Sequence, residues 1–308
     1  MNIELANSID EYLKFKRYPL INSILLYKDN ELVIERYYNN FTNRSKNNIK
    51  SIWKSIISIL VAICIDNGYI RSVDDLICNY LSDFDGSNHP YHRLITIEHL
   101  LTMTSGIYWN GGIHYHCPMI EQFRRSRNML SHIGDIAMSH IPGTNYNYKE
   151  WDVLLLSAII AKASNMNTYD FCKKYLYDPL DITSDSWWTS PCGLTYNIAN
   201  NEKNETSSDL SARDLAKLGF LFLNNGMYHD NRILSSEYIK KALTPSKLNS
   251  GYGYLYWLGE DWYGLRGYGG QEVTVIPNKG IIYVIQAKPT PSSKSYGDVL
   301  DEILDKIL

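Results

Sequence analysis

A serine and a lysine three residues apart, Ser51 and Lys54, open the most apolar stretch of the chain, residues 51–68. Positions three apart share one face of a helix, so both side chains are expected at its first turn. Free backbone N–H groups and the positive end of the helix dipole favour negative charge at that place. A partly buried Lys54 would have a lowered pKa and could accept the proton of the Ser51 hydroxyl. The pair therefore predicts a nucleophilic serine with a lysine base.

A plainer interpretation of the same two residues stays open. Serine is an ordinary N-cap residue, and lysine is common in the first turn of a helix. A four-residue pattern also arises by chance. This Ser-x-x-Lys is the only one in the chain and begins the helix that is apolar almost all the way round, which is typical of a buried helix.

Composition excludes several classes of function. The chain has 308 residues, of which 44% are hydrophobic and 20% charged, as in an ordinary globular protein. A net charge of −3 and a pI near 6.2 leave no basic surface for nucleic acid. The N-terminus is too acidic and too interrupted for a signal peptide, and no apolar run is long enough to span a membrane. Together with five scattered cysteines, this predicts a cytoplasmic protein with reduced thiols.

Two further groups of residues could line or hold a ligand. A metal site built from Cys117, His114 and His116 is conceivable, but a loop cysteine is the better interpretation, and neither a metal nor a cofactor is predicted. The 25 tyrosines and seven tryptophans are many. Aromatic residues in polar, glycine-containing loops are typical of a cleft wall. The candidates are Tyr108, Trp109, Tyr115, Trp187 and Trp188.

The pattern of apolar residues predicts the elements that would position these groups. A helix at 3–16 and a β-hairpin from Ile21 to Tyr38 precede the apolar helix, and a strand meander with a final helix ends the chain. Helical periods fill the middle. The predicted segments are helices at 72–82, 96–103, 119–138, 150–164 and 167–177, and strands at 252–258, 262–268, 271–277 and 280–287. The economical assembly is an α+β fold in which residues 1–68 and 208–308 form one antiparallel sheet lobe and residues 69–207 form a helical lobe.

The order of short motifs is similar to that of a known superfamily. In sequence these motifs are Ser51-Ile-Trp-Lys54, Ile95 through Gly106, Pro142-Gly143 running into Tyr148, Ser211 through Lys217, and Gly267-Tyr-Gly-Gly-Gln271. Over nearly the whole chain they resemble the serine β-lactamase and penicillin-binding-protein superfamily, in its class C-like branch of esterases and 6-aminohexanoate-dimer hydrolases. The resemblance implies a β-lactamase/transpeptidase-like fold, with a five-stranded sheet, terminal helices and an active site in the cleft between the lobes.

The resemblance also implies roles for single residues. Ser51 would be the acylated nucleophile, Lys54 its proton acceptor, and Tyr148 the tyrosine that shuttles a proton to the leaving group. Lys54 and Tyr148 would share one titration, as ammonium with phenolate or as amine with phenol. The backbone N–H groups of Ser51 and Gln271 would form the oxyanion hole. Without the resemblance, an aromatic residue at a helix entry is the better interpretation of Tyr148.

The strand before Gln271 contributes two glycines to the implied site. Gly269 and Gly270 would let this strand approach the substrate closely. Without the resemblance, a bulge or a turn between strands is the better interpretation of the two glycines.

Three residues depart from the family pattern. Glu150 stands where the family's Tyr-x-Asn has its amide, and is expected to favour the N-terminus of the next helix more than to act in catalysis. Tyr268 replaces the lysine of Lys-Thr-Gly, so the cation that holds a substrate carboxylate is lost. Arg266 is a candidate replacement for that cation, although alternation along a strand could point it to solvent.

These features predict a serine hydrolase that cleaves a small ester or amide, uncharged near the scissile bond, through an acyl-enzyme on Ser51. One alternative is a β-lactamase or D-Ala peptidase-like enzyme that uses Arg266 as its anchor. The other is a non-catalytic member of the superfamily that binds a peptide or small ligand in the same cleft. Neither a nucleic acid nor a membrane is expected as a partner.

Overall fold

The computed structural model describes residues 1–112, 117–185, 187–197, 208–290, 293 and 295–307. Its helices are α1 (Ile3–Lys16), α2 (Ile52–Asp66), α3 (Ile97–Leu101), α4 (Pro118–Arg125), α5 (Met129–Gly134), α6 (Trp151–Ser164), α7 (Thr168–Cys172), α8 (Ala212–Leu223), α9 (Ser236–Ala242) and α10 (Gly297–Ile307). Its strands are β1 (Ile21–Lys28), β2 (Glu31–Tyr37), β3 (Lys46–Asn48), β4 (Trp188–Thr189), β5 (Thr195–Tyr196), β6 (Asp209–Ser211), β7 (Met227–Tyr228), β8 (Asn231–Arg232), β9 (Trp257–Leu258), β10 (Tyr263–Gly267), β11 (Gln271–Ile276) and β12 (Ile281–Ala287).

One antiparallel sheet joins the two ends of the chain, as predicted. Its strand order is β2-β1-β12-β11-β10-β9, so the hairpin near the N-terminus pairs with the last strand. Ile24 lies opposite Ile285, and the register continues to Lys28 opposite Ile281. The sheet has six strands where five were expected, because the two-residue strand β9 pairs with the edge of β10.

The two faces of the sheet pack against different helices. One face carries α1 and α10, whose apolar side chains join those of β1 and β12 in a separate cluster that includes Ile9, Tyr283 and Ile303. The other face packs against α8 and, through β10, against α2. The apolar side chains on this face belong to a second, larger cluster. It includes α2 and α6 and continues into the helical part of the chain. The boundaries of the two lobes stay predictions.

The buried helix α2 is held on all sides. Every residue from Ile52 to Cys64 is buried, and α2 packs against α6. Gly68 closes the turn after it with φ of +74°, a conformation that glycine adopts without a Cβ penalty.

Several of the predicted elements are shorter than their sequence pattern suggests. Residues 119–138 form two short helices, because Asn128 caps the second by accepting a hydrogen bond from the N–H of Ser131. Residues 72–82 contain the 3₁₀ turn Ile77–Asn79 and the first residue of a second one, Ser82–Phe84. In 252–258, Leu255 has a φ of +65° and the chain turns, so only β9 is extended.

Two properties of the described residues bear on location and redox state. The five cysteines are free thiols. Within the described ranges, every helix is too short or too polar to cross a membrane.

Candidate active site

Ser51 lies at the mouth of α2 in a locally strained stretch of backbone. Lys50, directly before it, has a φ of +50°, a left-handed conformation that side chains other than glycine rarely adopt. Such strain collects at functional sites, where the surrounding fold holds it in place. The side chain of Ser51 is half-buried and makes no capping hydrogen bond to the helix. The interpretation of Ser51 as an ordinary N-cap therefore lacks its defining contact.

Lys54 is fully buried one turn further along α2 and is bound by a carboxylate. Its Nζ donates to both oxygens of Glu150, at 2.8 and 2.7 Å. The two side chains are 2% and 5% exposed. A buried charge needs a partner of opposite sign, and the only carboxylate of α2, Asp66, lies at the far end of the helix. Glu150, 96 residues away in the sequence, supplies it.

This ion pair reverses the predicted pKa of Lys54. Burial lowers the pKa of Lys54, but the negative charge of Glu150, together with Tyr148, outweighs burial and leaves the pKa above its usual value. The expected lowered pKa of Lys54 is therefore wrong. The resting form of Lys54 is the ammonium ion.

Tyr148 completes this group from the segment before α6. Lys54 Nζ lies 5.3 Å from the centroid of its ring. Burial raises the pKa of the Tyr148 hydroxyl and Glu150 adds to the rise, while Lys54 and Ser51 offset only part of it. The resting form of Tyr148 is the phenol. Ser51, Lys54 and Tyr148 thus meet at one place, as the motif order implies.

Glu150 lies where the sequence places it, at the start of α6, but its side chain has another role. It makes no capping hydrogen bond to the helix, and both of its oxygens bind Lys54. The expectation that it favours the N-terminus of α6 stays a prediction, and the bond to Lys54 is a contact that the sequence did not indicate. Because its side chain is only 5% exposed, Glu150 is also a poor candidate for binding substrate directly.

A second buried ion pair fixes the segment that carries Tyr148 and Glu150. Lys149 Nζ lies 3.6 Å from Asp152 Oδ2, and both side chains are at most 1% exposed. Ser105 Oγ donates to Asp152 Oδ1 at 2.5 Å and accepts from Lys149 at 3.3 Å. The only signal for this network in the sequence is the mixture of charged and aromatic residues from 148 to 152.

The edge of the sheet reaches the nucleophile through the end of β10. A Cβ on Gly267 would lie 2.3 Å from the carbonyl oxygen of Ile49, so only glycine permits this approach to the chain before Ser51. Gln271, paired with Gly267 across the turn, begins β11. Its side chain donates to the carbonyl of Ala287 at 2.5 Å and accepts from Asn47 at 2.6 Å. The side chain is thereby fixed in the interior. The predicted oxyanion role of the Gln271 backbone N–H stays a prediction.

Gly269 and Gly270 form the turn between β10 and β11. Their φ angles are +81° and +84°. A Cβ would meet Pro289 at 2.7 Å in the first case and the ring of Tyr296 at 2.5 Å in the second. The turn and its packing require glycine at both positions, which is the interpretation that the sequence alone favoured. Approach of a substrate is not needed to explain them.

Two predicted substrate-binding side chains are bound to other groups of the protein. Arg266 belongs to the opposite face of the sheet, where it pairs with Glu272 at 3.3 Å and stacks over Trp262 at 4.5 Å. Alternation along β10 explains this, since Leu265 beside it faces the cluster that contains α2. Tyr268 donates to the carbonyl of Thr290 at 2.9 Å. Arg266 as a carboxylate anchor near Ser51 is therefore wrong.

The candidate cleft aromatics divide into separate groups. Trp187 is 4% exposed and packs edge-on against Trp53 at 5.6 Å, so it belongs to the core and is not a cleft wall. Trp109 is half-buried against Trp151 at 4.9 Å, next to Glu150. Tyr108 is exposed, Trp188 is half-buried and Tyr115 lies outside the described residues.

Sequence reasoning missed the aromatic surroundings of Tyr148. Its ring lies 6.2 Å from that of Tyr252 and 6.0 Å from that of Trp257. Both belong to the aromatic-rich stretch before β10, which was the available signal. The conceivable metal site cannot be placed, since His114 and His116 lie outside the described residues, and no cluster suited to a metal occurs among the rest.

The chain is similar to a protein family and to several solved structures. A family model described as Beta-lactamase matches residues 22–305. A Bacteroides dorei protein provisionally assigned as a beta-lactamase is 17% identical with a TM-score of 0.77, the match covering 99% of this chain and 98% of that one. A Bacillus anthracis protein provisionally assigned as a 6-aminohexanoate-dimer hydrolase is 17% identical with a TM-score of 0.74, covering 97% and 80%. EstCE1, a hydrolase with promiscuous acyltransferase activity, is 12% identical with a TM-score of 0.74, covering 99% and 98%.

Proposed function

This chain belongs to the Beta-lactamase family, and we propose that within it the protein is a serine hydrolase that cleaves a small ester or amide. One observation carries the proposal: Ser51, free of any capping bond, meets Lys54 and Tyr148 at the start of a buried helix. The hydrolases of the same fold support the reaction class, and the substrate class rests on the site alone.

The proposed reaction has two halves. In the first, Ser51 Oγ attacks the carbonyl carbon while its proton passes to the Lys54–Tyr148 pair, which then protonates the leaving alcohol or amine. In the second, water attacks the resulting ester of Ser51 and the same pair takes the proton of the water. The serine is regenerated with its proton, so the cycle closes.

Negative charge on the attacked oxygen would be stabilised by backbone donors. The N–H of Ser51 lies at the positive end of α2, where partial charges of the helix favour an anion. The N–H of Gln271 is the second proposed donor. The bonds of the Gln271 side chain to Asn47 and Ala287 would keep that strand rigid. A preorganised donor of this kind typically contributes 10²–10³-fold in rate.

The proposed substrate is uncharged near the scissile bond. In the family pattern, a lysine cation holds the substrate carboxylate, and Tyr268 stands there with its hydroxyl bound to Thr290. Arg266, the candidate replacement, is committed to Glu272 on the other face of the sheet. These two placements disfavour a β-lactamase or D-Ala peptidase and favour an esterase or amidase. A cytoplasmic location remains part of the proposal.

Covalent labelling tests the proposal. The intact protein is incubated with a fluorophosphonate and, separately, with a penicillin, and its mass is measured for wild type, Ser51→Ala and Ser55→Ala. Ser55 is a matched control, because it lies on the same helix with its hydroxyl bound to the carbonyl of Leu255. We expect one fluorophosphonate adduct on wild type and on Ser55→Ala, and none on Ser51→Ala.

The other outcomes separate the alternatives. A stable penicillin adduct on Ser51 would favour a penicillin-recognising enzyme over an esterase. Absence of any adduct on wild type would refute the hydrolase and leave a protein that binds a ligand without turning it over.

A further inference from the structure

The carboxylate of Glu150 is the only negative charge bound to Lys54 within the described part of the chain. Both oxygens lie within 2.8 Å of Nζ, and both side chains are buried from water. A charge-assisted pair in a dry interior is stronger than the same pair at a surface. For Lys54 to act as a base, it would have to give up a proton while this carboxylate remains beside it.

Few other charges act on this group. From α2 it is faced by Ser51, from the segment before α6 by Tyr146 and Tyr148, and from the loop before β9 by Tyr252. The thiol of Cys117, at the start of α4, also experiences the charge of Glu150. The nearby Lys149 and Asp152 largely cancel each other as an ion pair. Among the described residues, Glu150 is therefore the charge with the largest effect on the protonation of Lys54.

We propose that Glu150 is a positioning residue that acts through Lys54, keeping it an ammonium ion so that Tyr148, as phenolate, takes the proton of Ser51. The inference rests on the proposed function and assigns the shared proton of that mechanism. It also gives the enzyme an alkaline requirement, because Tyr148 must first lose its own proton to solvent.

The proton count of the acylation half is complete. In the active form, Tyr148 is phenolate, Lys54 is ammonium and Glu150 is carboxylate. As the Ser51 Oγ–carbon bond forms, the Ser51 proton moves to the phenolate, and the negative charge moves from Tyr148 to the attacked oxygen. When the leaving-group bond breaks, Tyr148 returns that proton to the leaving group. Lys54 and Glu150 keep their charges throughout.

A titration of Lys54 tests the inference without relying on activity. Lysine labelled with ¹³C at Cε is incorporated, the Lys54 resonance is assigned by its loss in Lys54→Arg, and its shift is followed with pH. We expect Lys54 of the wild type to remain ammonium beyond the pH at which Tyr148 is half deprotonated, measured as the ultraviolet difference from Tyr148→Phe. If Lys54 loses its proton before Tyr148 does, the inference is overturned.

Replacement of the carboxylate gives the second arm. Glu150→Gln keeps the shape and removes the charge that opposes deprotonation of both Lys54 and Tyr148. The rising limb of fluorophosphonate inactivation against pH should therefore move down by roughly 1 to 3 pH units. Glu150→Asp, which keeps the charge, should retain the wild-type midpoint. All other groups are the same in these variants, so the comparison isolates position 150.

A matched control separates this effect from loss of a buried ion pair in general. Asp152→Asn breaks the neighbouring pair with Lys149, which is equally buried. It should lose stability and move the midpoint less than Glu150→Gln does, because the ion-pair partner of Asp152 is Lys149 and not Lys54. A midpoint that is unchanged in Glu150→Gln, or that moves equally in Asp152→Asn, overturns the inference. If wild type is never labelled on Ser51, the proposed hydrolase fails, while the Lys54 titration still decides whether Glu150 holds the ammonium ion. That titration needs only the wild type if Glu150→Gln does not fold.

Discussion

Lys54 is a cation inside a helix whose other side chains are nearly all apolar, and its environment decides what it can do. Bringing two ions out of water costs about as much as their attraction returns, so a buried pair adds little net stability. Breaking such a pair is different, because the remaining charge stays buried without a partner. The effect of Lys54 on the free energy of unfolding therefore depends strongly on whether Glu150 is present, and the reverse also holds.

That coupling predicts a non-additive response. Lys54→Met should lower the free energy of unfolding by about 3–5 kcal/mol, because it leaves Glu150 buried and unpaired. The double variant Lys54→Met/Glu150→Leu should be more stable than Lys54→Met alone. Urea denaturation of the two single variants and the double variant measures this coupling. Simple addition of the two single losses would contradict it.

Ser51 should behave in the opposite way. Replacing a serine that caps a helix typically costs 0.5–2 kcal/mol, because a hydrogen bond is lost. Ser51 makes no such bond, so Ser51→Ala should change the free energy of unfolding by less than about 0.5 kcal/mol while abolishing turnover. Thermal unfolding and an ester hydrolysis assay on the same preparation check both parts. Retained turnover would remove Ser51 as the nucleophile.

At the scale of residues, the sequence indicates which side chains meet and is less informative about their charge states. Ser51, Lys54 and Tyr148 were placed together by the order of motifs. The pKa of Lys54 was predicted in the wrong direction, because burial of α2 is visible locally and the carboxylate that reverses its effect lies 96 residues away. Two signals were available in the sequence. Glu150 stands in place of the family's amide, and Lys54, in a buried helix, needs a counterion.

The turn between β10 and β11 positions Gln271 at the end of a strand, and its glycines are required by geometry. Gly270→Ala should destabilise the protein by more than Gly68→Ala does. Both residues have positive φ, which costs an alanine roughly 1–2 kcal/mol. At Gly68 nothing lies within 4 Å of a new Cβ, whereas at Gly270 the ring of Tyr296 lies at 2.5 Å. Chemical denaturation of the two variants gives the comparison, and equal losses would show that the ring yields freely.

Long apolar elements were predicted well and short ones poorly. α2 and α6 follow from unbroken apolar runs that only a buried helix can accommodate. Residues 119–138 read as one helix because their apolar spacing continues across the break at Ser126–Asn128, and a cap inside a polar stretch is a weak signal. Residues 252–258 read as a strand because their aromatics suit a sheet, although the chain turns at Leu255 to bury them.

The described residues form two apolar clusters on opposite faces of one sheet, and of these two only one contains the helix that carries Ser51. Ile303→Ala, on α10, should lower the free energy of unfolding by about 2–5 kcal/mol. It should leave the acylation rate of the folded protein unchanged, because the sheet separates it from the site. Ile56→Ala removes the same atoms from α2 and should reduce both. Denaturation and burst kinetics on each variant decide whether the faces are independent.

At the scale of the whole molecule, the α+β architecture was predictable because both chain ends carry strand patterns and the middle carries helical ones. The face on which Arg266 lies was not predictable, since it depends on the exact residue at which β10 begins. A shift of one residue exchanges the two faces of a strand. Because side chains alternate along the strand, Leu265 faces α2 while the adjacent Arg266 lies on the other face of the sheet.

The pairing of β1 with β12 has a consequence for folding of the protein during its synthesis on the ribosome. Ile21 lies opposite Ala287, so the hairpin made first must wait for a strand made more than 200 residues later. A lone hairpin is only marginally stable in water, and distant pairings form slowly. The carbonyl of Ala287 also holds Gln271. In a growing chain, Ser51 is therefore made long before the strands on the opposite side of its candidate site, and that site is completed in one late step of synthesis.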